Sequence, residues 1–461
     1  MKAASILNDV LGPVMRGPSS SHTAGSFHIG RLLRSLAGDG PVSATFTFDP
    51  AGSYAATYRQ QGVDLALAAG LMGWEITDKR FRRALELAPR SGLEIRFRVA
   101  PLEGADHPNT VRGTIRPKKG KTFEVVGKSV GGGSVEITAV DGRPVSLDGR
   151  SRTVLDVGGA RRTVRPLFYV RRERPLFDSA AEAVAQARRR RVSLGRVALA
   201  HEAGLLGLSE REVIEEITRR LAIMSDSVSQ GLAGRGLGMK LLRPTAGRIF
   251  RAEAAGRLPT GGLATRAAAR AMAALHVSNS LGIVCAAPTG GSAGVIPGVM
   301  VTLAEEKGLA GDKAARALLA AGAVGLVVAA RATFAAEVAG CQVEIGAAGA
   351  MAAAAVVEAA GGSAAQAFDA AAVSLQNTMG SVCDLVQGMC EIPCHTRNAV
   401  AASSAFICAD LVLGGYVNPV PLDETVDASF ASGRMLPPEL RCTAKGGLAV
   451  APSALALRRR R

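Results

Sequence analysis

Two kinds of hydrophobic pattern divide the chain. In the first third, three short segments alternate apolar and polar positions, as half-buried strands do; they span residues 43–48, 93–99 and 134–138. From Val197 onward, apolar residues recur at helical spacing. In residues 208–217, Ser209 has the N-cap position and is followed by acids. The two patterns predict an α+β N-terminal domain followed by an all-α C-terminal domain.

Composition and glycine positions refine this division. The stretch 166–195 is rich in arginine and contains a predicted short helix over 179–190, so we interpret it as a linker. The glycine pairs at 361–362 and 414–415 are typical of helix ends. The expected organisation is therefore an α+β domain over 1–165, a linker over 166–195, a helical domain over 196–457 and a basic tail over 458–461.

The longest apolar run, Ala317 to Ala330, lies between two arginines and is shorter than the ~20 residues that a membrane span requires. We expect it to be a buried helix and expect no membrane association. Residues 1–15 carry Asp9 and Pro13 and lack the pattern of a signal peptide. The seven cysteines form an odd set without a regular framework. A reducing, cytoplasmic location is therefore expected.

The net charge of +16 raises the question of nucleic-acid binding, since clustered basic side chains neutralise phosphates. The excess charge is local. Residues 161–191 hold ten arginines and three acids, and residues 458–461 are all arginine. A basic linker and a basic tail are usually solvated, so we do not expect a nucleic-acid partner.

Three thiols indicate candidate metal chemistry. Cys383, Cys390 and Cys394 lie within twelve residues, and Cys341 precedes them in the motif Gly-Cys-Gln-Val-Glu. Thiolates select iron-sulfur clusters, zinc or copper(I), and a fold commonly gathers such ligands from separate segments. Free cysteines are also small buried apolar residues, so spacing alone leaves both interpretations open.

Several motifs resemble the iron-sulfur-dependent L-serine dehydratases. The segments around Cys341, Cys383 and Cys394, the proline- and glycine-rich stretch 283–298 and the segment 444–450 resemble the α-chain of that family. The motifs Gly17-Pro-Ser-Ser-Ser-His-Thr-Ala-Gly25 and His107-Pro-Asn-Thr110 resemble its β-chain. The resemblance covers nearly the whole chain, in the order that the family shows, with both parts fused.

The resemblance implies an enzyme that deaminates L-serine to pyruvate and ammonia. It assigns Cys341, Cys383 and Cys394 as ligands of a [4Fe-4S] cluster, in which three thiolates leave one iron open to the substrate. An open iron acts as a Lewis acid and stabilises the departing hydroxide. The family also implies a homodimer and a small amino-acid substrate. Cys390 and Cys442 are additional thiols, and either is a possible fourth ligand.

The proton acceptor should titrate near neutral pH, which directs attention to the six histidines. His22 and His107 match the family motifs and are the catalytic candidates, whereas His395 is a candidate for contacts behind the cluster. The residues do not decide which histidine takes the proton. The resemblance gives the following substrate-binding candidates: Ser19, Ser20, Ser21, Thr23, Asn109, Thr289 and Arg397.

One position departs from the family motif. The β-chain typically continues into Gly-His-Gly-Thr-Asp, but this chain reads Gln60-Gln61-Gly62-Val63-Asp64. Glutamine donates a hydrogen bond but accepts no proton at neutral pH, so Gln61 replaces a titratable group. The chain is then expected either to act by β-elimination on a related amino or hydroxy acid, or to use His22 for both steps. The additional cysteines leave a separate alternative open, a non-catalytic metal-binding protein that senses or binds nucleic acid through the basic segments.

Overall fold

The computed structural model describes residues 4–38 and 40–460, which form a mixed α/β protein of two compact units. The sheet unit spans residues 15–170. The helical unit combines residues 4–14 with residues 171–460. Each unit has its own hydrophobic core.

The sheet unit begins near the short strand β1 and carries one main sheet, one hairpin and four helices. Its strands are β1 (Val14–Arg16), β2 (Pro41–Phe48), β3 (Glu94–Val99), β4 (Thr110–Pro117), β5 (Phe123–Gly131), β6 (Ser134–Val140), β7 (Arg143–Leu147), β8 (Thr153–Val157) and β9 (Ala160–Val164). Its helices are α1 (Gly25–Ala37), α2 (Ser53–Thr57), α3 (Val63–Leu71) and α4 (Ala84–Arg90), with short turns at Ser20–Ala24 and Phe81–Arg83.

The main sheet has the strand order β3-β2-β4-β5-β6-β7. β2 runs parallel to β3, and the other neighbours pair antiparallel. The alternation of β2 buries Phe46 and Phe48, and Phe46 stacks on Phe97 of β3 with ring centroids 5.7 Å apart. Helix α1 packs on the sheet beside α3. The three predicted strands are therefore confirmed.

The helical unit contains thirteen helices among the residues that the structure describes. They are α5 (Ala180–Arg190), α6 (Leu194–Leu206), α7 (Glu210–Ala233), α8 (Ala246–Ala254), α9 (Gly262–Asn279), α10 (Val295–Lys307), α11 (Gly311–Arg331), α12 (Ala336–Ala339), α13 (Ile345–Ala359), α14 (Ala364–Gln376), α15 (Cys394–Leu413), α16 (Leu422–Arg434) and α17 (Pro452–Leu455). Short strands and turns complete it: β10 (Ile283–Cys285), β11 (Cys383–Asp384), β12 (Arg441–Thr443), Ile6–Val10, Cys341–Val343, Val386–Gly388, Pro438–Leu440 and Gly447–Val450.

Small side chains let these helices approach closely. A Cβ added to Gly231 of α7 would lie 1.9 Å from the carbonyl oxygen of Ala273 on α9, so only glycine fits there. By length and composition, two apolar helical segments are long enough to cross a membrane, Gly311–Arg331 and Cys341–Ala359. Most of each apolar window is buried inside the protein, at 78% and 89%. The first of them confirms the predicted buried helix.

The expected start of the helical domain differs from the structure at two places. Residues 4–14 pack into the helical unit, where the carboxylate of Glu202 accepts hydrogen bonds from the backbone N–H groups of Ile6 and Leu7. Arg220 donates to the carbonyl oxygens of Leu7 and Leu11. A short apolar segment is thus held by two buried charged side chains, which no local pattern reveals.

The arginine-rich stretch is the second difference. Its predicted helix is confirmed as α5, which is capped by the Ser179 side chain. From Arg171 onward this stretch belongs to the helical unit, and Asp423 at the start of α16 accepts hydrogen bonds from the N–H groups of Ala180 and Ala181. Helix α5 therefore packs into the core of the helical unit and is not part of a solvated linker.

Candidate functional site

The helical unit brings the cysteines of three segments together. Cys341 opens a short turn before α13, Cys383 lies on β11, and Cys394 is the first residue of α15. The N–H group of Cys341 donates to the carbonyl oxygen of Ser381 over 2.9 Å, which ties the first two segments together. All three cysteines are buried.

The ligand atoms of Cys341, Cys383 and the carboxylate of Glu344 lie within 4.8 Å of one another. Cys394 is outside this tight group, but its charge contributes to raising the pKa of the Cys341 thiol. A cluster of several irons needs its ligands spaced around it, whereas a single metal ion needs all of its ligand atoms directed at one position. The arrangement places two thiols and one carboxylate close together, with the Cys394 thiol near enough to act on Cys341 electrostatically.

Two further thiols border this group. Cys442 lies on β12, which pairs in parallel with β11, and it forms a hydrogen bond with Cys383. Cys390 forms a hydrogen bond with Cys394. The structure therefore gathers five thiols, and the C-terminal part is not entirely helical because the pair β11 and β12 positions two of them.

Crowding makes thiolate formation costly without a cation. Hydrogen bonding with Cys383, followed by burial, raises the pKa of the Cys341 thiol well above its usual range. The pKa of Cys383 is lowered by the hydrogen bond with Cys341, but the bond with Cys442 and burial outweigh it and raise the pKa overall. Thiols release their protons when they bind a metal, so a bound cation would relieve this cost.

Glu344 is a site residue that the sequence analysis did not single out. Its Oε1 accepts a hydrogen bond of 2.5 Å from the Oγ1 of Thr289, and burial raises the pKa of its carboxyl to about 7. A Cβ on Gly291 would lie 2.8 Å from the same carboxylate. The proline- and glycine-rich loop therefore packs directly against Glu344, and the candidate Thr289 contacts this carboxylate.

Arg397 lies one turn into α15 and bonds to both cysteine segments. Its Nη1 donates to the carbonyl oxygen of Val382 over 2.6 Å and lies 3.7 Å from the Sγ of Cys341. Its Nη2 lies 3.0 Å from Oδ1 of Asp384, which is buried on β11. The sequence predicts that Arg397 binds the substrate, whereas the structure places its guanidinium against protein groups beside the thiols.

A cavity of about 310 Å³ opens beside Cys341. Arg397 lines it, and most of the other polar lining groups are hydroxyls and an amide. The polar lining residues are Ser374, Asn377, Thr378, Ser381, Thr396 and Ser404. The space is large enough for a small polar molecule next to a thiol of the site.

His395 lies behind the thiols and is fully buried. Its Nδ1 is 2.7 Å from the carbonyl oxygen of Glu391, and its ring lies 4.9 Å from the ring of His276. Burial lowers the pKa of His395. The ring therefore packs at the start of α15, where its Nδ1 contacts the backbone of the preceding turn.

The histidine motif lies in the sheet unit, on the turn that precedes α1. Ser19 caps this turn, and its Oγ accepts a hydrogen bond from the N–H group of His22 over 3.1 Å. The same Oγ lies 3.2 Å from Nδ1 of the His22 ring, while Nε2 lies 3.0 Å from the Oγ of Ser53. His22 is 1% exposed. Its ring is thus fixed through both nitrogens.

Gln61 lies next to this motif. The Oγ1 of Thr23 donates to the carbonyl oxygen of Gln61 over 2.7 Å, and the Gln61 side chain is buried. The position at which this chain departs from the family motif is therefore adjacent to His22 in space. Ser20 and Ser21 occupy the same turn, and the Ser21 carbonyl oxygen accepts a hydrogen bond from the hydroxyl of Tyr54.

His107 and Asn109 form a second polar group in the sheet unit. Nδ1 of His107 accepts a hydrogen bond of 3.1 Å from the N–H group of Asn109. Asn109 is 1% exposed, and its Oδ1 has no hydrogen-bond partner among the residues that the structure describes. Ser129 on the neighbouring strand β5 also has a buried Oγ without a partner in that part of the chain. Buried polar atoms are normally paired, so both atoms are suited to a ligand.

The donor set of the helical unit fits an iron-sulfur cluster. Buried thiols from separate segments are the ligands that iron-sulfur clusters use, and soft sulfur ligands disfavour magnesium or calcium. The raised thiol pKa values describe a group whose ionisation a metal would favour.

Comparison with known proteins decides the family. The family model for the serine dehydratase alpha chain matches residues 154–449. This chain belongs to the serine dehydratase alpha-chain family. The resemblance inferred from the motifs is thus confirmed, and membership of a family of dehydratases favours an enzyme over a metal-binding sensor.

Individual relatives extend the match beyond the alpha chain. A probable L-serine dehydratase alpha chain of Bacillus subtilis is 36% identical over 278 residues, which are 60% of this chain and 93% of that protein. A probable beta chain of the same organism is 43% identical over 157 residues, covering 34% of this chain and 69% of that protein. An L-serine dehydratase of Mycobacterium tuberculosis is 30% identical over 465 residues, covering 94% of this chain and 95% of that protein. The serine dehydratase parts that are separate in Bacillus subtilis are fused here.

Proposed function

We propose that this protein deaminates L-serine to pyruvate and ammonia. The observation that carries the proposal is the group of buried thiols, Cys341, Cys383 and Cys394, in a chain whose near full-length relatives are named L-serine dehydratase. Removal of the α-proton and loss of the β-hydroxyl give aminoacrylate. Its imine tautomer then reacts with water to release pyruvate and ammonia.

Cys341, Cys383 and Cys394 would hold a [4Fe-4S] cluster, with Glu344 next to them. Such a cluster, when bound through three thiolates, supplies an open iron that acts as a Lewis acid toward the departing hydroxyl group. Glu344 is held by Thr289, so the carboxylate is fixed in direction before any ligand arrives. This arrangement accounts for the Thr289 hydroxyl as a supporting group at the substrate site.

His22 is the proposed proton acceptor. We assign to His22 the tautomer that carries its proton on Nδ1, with the Ser19 Oγ, 3.2 Å away, as the acceptor. Nε2 is then the basic atom, and the Ser53 hydroxyl holds it at 3.0 Å. We assign the removal of the substrate α-proton to Nε2 of His22.

Substrate binding is assigned to the polar groups near His22. Groups of Ser19, Ser20 and Ser21 are proposed for the carboxylate of an amino acid. Thr23 is proposed to support them, since its hydroxyl donates to the carbonyl oxygen of Gln61 and its N–H group to that of Ser19. The Oδ1 of Asn109, which has no hydrogen-bond partner within residues 4–38 and 40–460, is the proposed acceptor for the ammonium group of the substrate. The ring of His107 orients Asn109 by accepting a hydrogen bond from the Asn109 backbone N–H group. His107 is the proposed second catalytic histidine, and Arg397 lines the cavity that opens beside Cys341.

The decisive experiment is L-serine turnover by anaerobically purified full-length protein, with iron and acid-labile sulfide measured on the same sample. We expect pyruvate formation in proportion to cluster content, and loss of both on exposure to air. An intact cluster without pyruvate would contradict the proposed substrate. Zinc without sulfide would contradict the proposed cofactor.

We further propose a cytoplasmic homodimer. The support for a dimer is an apolar stripe on α15, where Val400, Ile407 and Leu411 are 64%, 56% and 48% exposed and follow one another at helical spacing. A second copy would cover this stripe. Light scattering should give twice the chain mass for the unaltered protein and the monomer mass for Ile407→Asp; an unchanged mass would contradict this interface.

A further inference from the structure

The contacts of Arg397 connect the start of α15 with the segments that hold Cys341 and Cys383. Its guanidinium bonds to the carbonyl oxygen of Val382 in the segment before Cys383, and it lies 3.7 Å from the sulfur of Cys341. Its Nη2 also lies 3.0 Å from Oδ1 of Asp384, the residue that follows Cys383 on β11. One planar cation therefore contacts both cysteine segments from the first turn of the helix that begins with Cys394.

Asp384 extends these contacts to a fourth segment. Its Oδ2 accepts a hydrogen bond of 2.8 Å from the N–H group of Leu448. Gly447 has a φ of +58°, and a Cβ there would lie 2.4 Å from the same oxygen, so glycine is required for this close approach. The segment 444–450 is thereby held against β11 by a carboxylate that Arg397 neutralises.

Burial makes this pair more than a surface contact. The Asp384 side chain is 3% exposed and the Arg397 side chain 26% exposed. Removing one member of a buried pair leaves an uncompensated charge, which is strongly destabilising locally. The three-point geometry also needs the fork of arginine, because a lysine ammonium is a point charge on a flexible stem.

We propose that Arg397 is a positioning residue for the thiols, acting together with Asp384. It holds the segments of Cys341, Cys383 and Cys394 at fixed separation, and its N–H group donates to the Cys341 sulfur. This inference rests on the proposed cluster but assigns a role that the sequence motif did not indicate, since the motif placed Arg397 on the substrate carboxylate. Hydrogen bonds to cluster sulfurs tune the reduction potential, and groups behind metal ligands govern metal affinity.

The test compares Arg397→Lys and Asp384→Asn with the unaltered full chain, all reconstituted with iron and sulfide under anaerobic conditions. The readouts are the rate of iron release to a ferrous chelator and the midpoint potential of the cluster. We expect both variants to release iron about 10- to 100-fold faster. Arg397→Lys should also lower the midpoint potential, because it removes the N–H donor that favours the more negative, reduced cluster. Arg211→Lys, an exposed arginine of α7, is the matched control and should change neither.

The double variant separates a joint action from two independent effects. If Arg397 and Asp384 act as one unit, the double variant should release iron no faster than the faster single variant. The inference would be overturned if the increases in iron-release rate of the two single variants multiplied in the double variant. It would also be overturned if Arg397→Lys left the release rate and the midpoint potential unchanged. Thermal unfolding of each variant checks the fold, and Asp384→Asn keeps the test valid if Arg397→Lys does not fold. If the unaltered chain binds no iron and sulfide, the proposed cofactor is overturned, and this role with it. If the unaltered chain binds the cluster and turns over serine, but the variants show unchanged iron release and midpoint potential, only this role is overturned.

Discussion

The histidine motif and the thiol site hold their polar groups by different means. His22 is fixed by neutral hydroxyls, one of them three residues away and the other on α2 of the same unit. The thiol site joins segments that begin at Cys341, Cys383 and Cys394, and a charged pair spans them. A histidine needs an orientation and a tautomer, which one turn can supply. Several thiols at set distances need the whole packed unit.

The largest expected effect is on the thiol site. Cys383→Ser should abolish cluster assembly and reduce serine turnover by at least about 10³-fold, because Lewis-acid stabilisation is worth several kcal/mol. Cys408→Ser is the matched control, since Cys408 is a buried thiol of α15 outside the five-thiol group. Iron, sulfide and pyruvate are measured together. Equal turnover in Cys383→Ser and Cys408→Ser would remove Cys383 from the ligand set.

Cys442 sharpens the same comparison. It is hydrogen-bonded to Cys383, and its φ of +61° is unusual for a residue with a side chain. If the ligands are the three cysteines of the proposal, Cys442→Ser should retain iron and sulfide within about twofold. A loss as complete as that in Cys383→Ser would make Cys442 a ligand and leave no open iron.

The histidine motif should respond through rate without loss of the cofactor. His22→Gln removes the proposed proton acceptor, so kcat should fall about 10²- to 10⁴-fold while cluster content stays unchanged. The limb of the pH-rate profile that reports the base should disappear with it. His22→Gln protein with normal kcat would move the proton acceptor elsewhere, and His107→Gln then becomes the next variant to measure.

Much of the fold follows from local patterns, whereas the thiol site follows only in part. The strands at 43–48 and 93–99 alternate clearly, and α7 begins with a capping box between Ser209 and Glu212. The cysteines were visible as a motif. Glu344, Asp384 and Ser53 were not singled out, because an ordinary acid or serine becomes informative only when the fold buries it beside a distant partner.

The packing of residues 4–14 illustrates the same limit. Ile6 and Leu7 are ordinary apolar residues. Nothing near them in sequence indicates that Glu202 accepts hydrogen bonds from their N–H groups. Glu202 is 0% exposed, and burial raises the pKa of its carboxyl. Contacts of this kind depend on the tertiary arrangement, so a sequence pattern does not predict them.

Asp64 is a buried carboxyl group close in sequence to Gln61, in the same unit as the His22 motif. The side chain is 8% exposed, and burial raises the pKa of its carboxyl to about 6 from the usual 3.8. The folded state therefore binds the proton more tightly than the unfolded state, so stability is highest below about pH 4 and declines as the pH rises to about 6.

Replacing Asp64 with asparagine removes this titration. Asp64→Asn should raise the free energy of unfolding at pH 7 by about 2–3 kcal/mol and flatten its pH dependence between 4 and 6, as measured by denaturant unfolding. At pH 4 the two proteins should be nearly equal. A variant that is less stable than the parent at pH 7 would mean that the Asp64 carboxylate has a stabilising partner that outweighs its burial.

Gln61 bears on the comparison most directly. Its buried side chain is next to the His22 turn, and the proposal gives the proton to His22 alone. Gln61→Ala should lower kcat by less than about fivefold, because the hydrogen bond from Thr23 uses the backbone carbonyl oxygen of Gln61, which alanine keeps, and a single hydrogen bond is worth only about 1 kcal/mol. Gln61→His should change kcat by less than about threefold, because the base is already present. A rise of tenfold or more in Gln61→His, with a new titration in the pH-rate profile, would show that the motif lacks a proton acceptor that the family histidine supplies. His22 would then orient the substrate, and the contrast between a self-sufficient histidine motif and an assembled thiol site would no longer hold.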